Sequence, residues 1–121
     1  MRILVVDDDP LAAEMTTVIL EEAGHDVVVT GNAMDALAAL EGDPGLGMVI
    51  SDMNMPLVDG LELFATLREQ GVEIPFILLT GDDPEPLKRR EPRLDACIVK
   101  NFDLMTALPD GVAAVLEYRT T

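Results

Sequence analysis

Four short apolar runs, each leading into a chemically functional polar residue, constrain this chain more than any other feature. The runs are Ile3–Val6, Met48–Ser51, Phe76–Leu79 and Cys97–Val99. They lead into Asp7-Asp8, Asp52, Thr80 and Lys100. Segments of helical periodicity lie between them, and that alternation marks βα units with a parallel sheet. Parallel strands would bring all five polar side chains out at one edge of the sheet, where ligands bind in open α/β folds. Three carboxylates, one hydroxyl and one ammonium converging there read as a divalent-cation and phosphoryl site.

The rest of the chain fits the same frame. The first strand is expected at about Arg2–Val6. A helix follows from about Pro10 to Ala23, with Leu11, Met15, Val18 and Ile19 at helical spacing, Asp9 as its N-cap and Gly24 as its stop. A Val-rich strand spans Asp26–Thr30, and a second helix covers about Ala33–Glu41 behind Asn32. The run at Met48 is apolar throughout, as suits a central strand. A third helix, about Leu61–Glu69, starts through Asp59-Gly60 and ends at Gly71. Pro84, Pro86 and Pro92 leave room only for a short or broken helix before the last strand, Ala96–Val99. A final helical segment runs from about Asp103 to Tyr118. Pro109 and Gly111 are expected to kink it or delay its start.

Composition sets the class. The chain has 121 residues, enough for one domain with one core, and 49% of them are apolar, so it is not a disordered acidic tail. No apolar run reaches membrane-helix length, and no signal-peptide pattern is present. With a strand starting almost at Met1, a native start and a cytoplasmic location are expected. A single cysteine, Cys97, excludes an internal disulfide and any cysteine-based zinc cluster. With 23 acids against 8 bases the net charge is −15, which opposes a nucleic-acid surface and favours cations or a partner with basic patches.

The chemistry of the converging residues follows from charge. Asp7, Asp8 and Asp52 would repel one another, and a hard divalent cation relieves that repulsion. Oxygen-only ligands suit Mg²⁺, which binds through one or two carboxylates and keeps several waters. The remaining carboxylate is then free to act as a nucleophile that forms an acyl phosphate. Phosphoryl transfer mainly needs alignment and charge neutralisation, which Mg²⁺, Lys100 and Thr80 would supply.

The motifs, in order, are Arg2-Ile3-Leu4-Val5-Val6-Asp7-Asp8-Asp9-Pro10, Ser51-Asp52-Met53-Asn54-Met55-Pro56 with Asp59-Gly60, Leu78-Leu79-Thr80-Gly81, and Val99-Lys100. Together they resemble a bacterial two-component response-regulator receiver domain over nearly the whole chain. The resemblance implies a flavodoxin-like fold: a five-stranded parallel sheet of order 2-1-3-4-5 with helices on both faces. It implies Asp52 as phosphoacceptor, Asp8 as a direct Mg²⁺ ligand, and Asp7 as a ligand mainly through water. The backbone carbonyl of Asn54 would be a further ligand. Thr80 and Lys100 would contact the phosphoryl oxygens, while Asn54 and Asp82 would tune hydrolysis. The donor would be a phosphohistidine on a sensor histidine kinase or a phosphotransfer protein. The downstream protein partner is left open, with no nucleic acid and no membrane involved.

Two positions depart from that family's pattern. Cys97 stands where an aromatic residue usually swings inward as the threonine moves. Asn101 stands where a cis proline usually follows the lysine, so a trans Lys100–Asn101 bond is expected. Both changes fall on the face that usually carries the output, which is therefore expected to be remodelled while the phosphorylation chemistry is kept. With no effector domain in the sequence, the expectation is a stand-alone receiver or one cut from a longer protein.

Plainer readings stand beside these. Asp7 and Asp8 could be a helix cap with solvent-facing charge, although Asp9 already fills that role. His25 reads as a surface turn residue, Cys97 as a small buried hydrophobe. Lys88, Arg89, Arg90 and Arg93, half of all the bases, read as a solvated segment or as a docking patch for an acidic partner. Three functions compete: a phosphorylation-dependent signalling module that is no metabolic enzyme, a degenerate receiver that only binds protein, and an aspartate-nucleophile phosphatase. The last would need a further acidic pair after the lysine strand, and Asp103 and Asp110 are isolated.

Overall fold

The computed structural model describes residues 1–120. Its strands are β1 (Arg2–Val6), β2 (Asp26–Thr30), β3 (Met48–Asp52), β4 (Phe76–Thr80) and β5 (Ala96–Val99). They form one parallel sheet of order β2-β1-β3-β4-β5. The helices are α1 (Pro10–Glu22), α2 (Ala33–Gly42), α3 (Gly60–Glu69), α4 (Glu85–Arg90) and α5 (Leu104–Thr120). This is the flavodoxin-like arrangement that the resemblance implied, and it contains the parallel βα sheet expected from the alternation. The apolar cores divide by strand face. Leu4, Val6, Val49, Phe76, Leu78 and Cys97 pack under α2, α3 and α4. Ile3, Val5, Met48, Ile50, Ile77 and Leu79 pack under α1 and α5.

Local chemistry sets the helix ends. The Asp9 carboxylate accepts the Leu11 N–H at 3.0 Å, with Pro10 in the first turn. Asn32 caps α2 through the Asp35 N–H at 2.8 Å. Asp59 and Glu62 form a reciprocal capping box on α3. Gly24 and Gly71 leave α1 and α3 at positive φ, where a side chain would be strained.

Three points refine the reading of the sequence. First, of Leu11, Met15, Val18 and Ile19 at helical spacing on α1 only Ile19 is buried: Leu11 is 74% and Met15 61% exposed, while Ala13, Thr16 and Leu20 join Ile19 in facing the sheet. The helix carries two apolar faces, and the small residues of one allow closer packing on the strands. Second, α5 is continuous through Pro109. Its buried residues Leu104, Leu108, Val112 and Val115 hold it on the sheet despite the lost N–H donor. Gly111 serves packing rather than breaking, since a Cβ there would lie 2.7 Å from Ile98 Cδ1. Third, His25 is half-buried, with Nδ1 lacking a hydrogen-bond partner and burial lowering its pKa. The three prolines do leave α4 only six residues long, and no peptide bond among the described residues is cis, Lys100–Asn101 included.

Candidate functional site: an acidic cup at the C-terminal strand ends

The sheet delivers the five polar residues to one edge. Asp52 and Thr80 are the last residues of β3 and β4, while Asp7 and Lys100 directly follow β1 and β5. Because β1, β3, β4 and β5 are consecutive neighbours with parallel register, their ends converge without help from a long loop. Backbone bonds extend the ladder past its formal ends. Asp7 N–H donates to the Thr30 carbonyl at 3.1 Å, Met53 N–H to Leu79 at 2.7 Å, and Lys100 N–H to Thr80 at 2.6 Å.

Asp7, Asp52 and Thr80 are buried, Asp8 is exposed, and Lys100 lies between. One carboxylate oxygen from each of Asp7, Asp8 and Asp52 lies within 4.8 Å of the others. Lys100 Nζ reaches across to Asp7 Oδ2 at 3.5 Å and Asp52 Oδ1 at 3.3 Å. Burial raises the Asp7 pKa, and this outweighs the lowering by the Asp9 N–H and by Lys100; the Asp52 charge raises it further. The Asp9 N–H, 2.9 Å from Asp7 Oδ1, also fixes that carboxylate in place. Thr80 Oγ1 accepts the Asp82 N–H at 3.2 Å, tying the hydroxyl to the following loop. Asn54 is exposed two residues past Asp52, in the loop that leads to α3.

Two contributors to the site escaped the reading of the sequence as site residues. Gly60 lets the N-terminus of α3 press onto the end of β3, since a Cβ there would lie 2.6 Å from the Asp52 carbonyl oxygen and 2.5 Å from Leu78 Cδ1. Its presence beside Asp59 was legible only as a helix start. Ser51, fully buried, donates its hydroxyl to the Asp52 carbonyl at 2.9 Å. An apolar strand flanking a serine carries no signal for that.

The donor set is all oxygen, it is anionic, and it has one buried and one solvent-facing member beside the Asp52 carboxylate. That fits a hard, partly hydrated divalent cation such as Mg²⁺. Asp103 and Asp110 are exposed and lie outside the one acidic cluster found among the described residues. Neither aspartate therefore adds to the cup that Lys100 reaches, as the phosphatase reading would require.

Comparison with known proteins agrees with this geometry. Residues 3–108 match the response regulator receiver domain family. The chain is 42% identical over 88 residues to the transcriptional regulatory protein AruR of Pseudomonas aeruginosa, covering 69% of this chain and 36% of that protein. It is 35% identical over 122 residues to the transcriptional regulatory protein FixJ of Bradyrhizobium diazoefficiens, covering 96% of this chain and 58% of FixJ. The chain thus spans only about a third of AruR and little over half of FixJ. In structure it is similar to the Thermotoga maritima response regulator TrrA, solved in complex with Mg²⁺ and BeF, at 30% identity and a TM-score of 0.84. That match covers 94% of this chain and 97% of TrrA.

Proposed function

This chain belongs to the response regulator receiver domains, and from that premise we propose that it takes a phosphoryl group onto Asp52 from a phosphohistidine donor. Receiver domains are signalling modules of two-component systems rather than metabolic enzymes. The observation that carries the proposal is the Lys100 ammonium poised 3.3 Å from Asp52 and 3.5 Å from Asp7 at the mouth of the acidic cup.

Each residue has a role that follows from its place. An Asp52 carboxylate oxygen attacks phosphorus as the donor's P–N bond breaks, and the departing imidazole keeps the electron pair. Asp7, Asp8, the Asp52 carboxylate and the Asn54 backbone carbonyl would hold Mg²⁺. That ion would neutralise charge on the equatorial phosphoryl oxygens. Lys100 releases its pairing with Asp52 and contacts a phosphoryl oxygen instead. Thr80 gives its hydroxyl to another, which draws its loop toward the site. Asn54 and Asp82 flank the product and set how readily water reaches it.

The partner side follows from charge and from the family. The donor is a sensor histidine kinase or a histidine phosphotransfer protein, in the cytoplasm. The output is a change in protein binding; a net charge of −15 disfavours direct contact with nucleic acid. No helix among the described residues is long and apolar enough to cross a membrane. Cys97 is buried in the core under α4, so the output face moves without an aromatic rotor.

Incubation with Mg²⁺ and a small acyl-phosphate donor, followed by mass mapping of the phosphate, tests the reading. Label on Asp52, lost in Asp52→Asn, is expected. Absence of label supports a receiver that only binds protein, and steady turnover of phosphomonoesters through Asp7 would indicate a phosphatase.

A further inference from the structure

β2 forms the margin of the sheet beside β1 and pairs with no other strand among the described residues. It is also the one strand without a buried residue: Asp26 and Val29 are exposed, and Val27, Val28 and Thr30 are half-buried. Its hydrogen bonds show which backbone groups are spare. Asp26 N–H donates to the Met1 carbonyl at 2.9 Å, and the Thr30 carbonyl accepts the Asp7 N–H at 3.1 Å. In a parallel ladder the N–H and C=O of one residue point the same way, and successive residues point opposite ways. Asp26, Val28 and Thr30 therefore face β1. The N–H and C=O of Val27 and of Val29 point out from the sheet.

The surroundings of this margin suit an added strand. Val27-Val28-Val29 is β-branched throughout and free of proline, and Asp26 is the only charge on β2. Its side chains alternate: Val28 packs on the core under α2, Val27 on the core under α1. Val29 shares the α1 side with Val27 and is 48% exposed. There it lines an open groove of about 540 Å³ between the strand and α1. Glu14, Thr17 and Glu21 form the helix wall of this groove. Their spacing of three and four residues puts them on one ridge of α1.

Charge selects the occupant. No basic residue lines this groove. Glu14 and Glu21 are exposed and take part in no ion pair among the described residues. Asp7 and Asp8 close its far end, but they belong to the cup described above, and Lys100 already engages Asp7. A second copy joined β2 to β2 about a two-fold axis would set Asp26 and the α1 glutamates against a second acidic set, in a chain of net charge −15. We propose that the open edge of β2 is a strand-addition site for an extended, basic segment of a partner protein. Main-chain hydrogen bonds to Val27 and Val29 hold the segment in line. On its α1 side, the stems of alternate lysines or arginines cover Val18 and Val29 while their charged heads reach Glu14 and Glu21.

The test uses the full chain without added metal and a capped peptide of alternating lysine and valine, read by amide hydrogen exchange. The expected result is slowed exchange at Val27 and Val29, abolished when alternate peptide nitrogens are methylated. Glu14→Gln with Glu21→Gln should weaken binding by roughly tenfold. Glu69→Gln with Asp110→Asn, which removes two exposed acids on α3 and α5, should leave it unchanged. No protection at millimolar peptide overturns the proposal. So does equal binding by the methylated peptide or by a glutamate-for-lysine peptide, and so does an equal loss in the two double variants, which would reduce the attraction to net charge. Protection that rises with protein concentration alone would assign the edge to a second copy instead.

Discussion

At Asp7, burial and the neighbouring charge of Asp52 act against the carboxylate, and the Lys100 ammonium only partly offsets them. The folded pKa therefore lies above the ordinary value. Between the two values the ion-free folded state keeps a proton that the unfolded chain has released, so Asp7's contribution to stability falls as pH rises through that window. A bound cation needs the carboxylate form. Mg²⁺ affinity should accordingly climb with pH and level off only above the raised pKa, and Asp7→Asn should flatten the climb; calorimetric titration at a series of pH values measures both. Lys100 makes a separable contribution. Lys100→Ala should leave Mg²⁺ binding nearly intact while slowing phosphorylation of Asp52 by about a hundredfold, the usual scale for losing one charge-stabilising donor. Equal loss of both would mean that the lysine merely holds the strand ends together.

Among the elements, α1 shows where periodicity stops being informative. Its spacing marks a helix, but both of its apolar rows satisfy a 3.6-residue repeat. Only docking on β1 and β2 decides that Ala13, Thr16, Ile19 and Leu20 turn inward. Leu20→Ala should cost about 2–5 kcal/mol in urea unfolding, whereas Leu11→Ser should stay within about 0.5 kcal/mol. Equal costs would contradict the observed face. The strands were legible because buried parallel strands are nearly continuous apolar runs, and the caps at Asp9, Asn32 and Asp59 because their side chains have one good local use. Pro109 misled because its penalty is local and the packing of α5 is not. Leu57, with φ of 70° in a fully exposed position after Pro56, gave no signal at all, since a leucine there costs about 1–2 kcal/mol.

Over the whole molecule, charge separates a specific ion site from general screening. At net −15 the folded chain repels itself, so sodium chloride should raise the melting temperature gradually. Mg²⁺ should do so at far lower concentration because it enters the cup. Asp8→Asn should erase the Mg²⁺ effect and leave the sodium chloride effect in place. Thermal scans of both proteins in both salts measure the difference; loss of neither effect, or of both together, would reduce the cup to ordinary surface acidity. The site as a unit was readable in the sequence because its parts follow four apolar strands that the alternation makes parallel and whose order the family resemblance implied. Its supports, Gly60 under α3 and the Asp9 amide on Asp7, depend on distances that spacing does not encode. The most direct test is anomalous diffraction from crystals soaked in Mn²⁺. The account predicts one peak, bonded to carboxylate oxygens of Asp8 and Asp52 beside Asp7. A peak elsewhere, or none among these three residues, would contradict it.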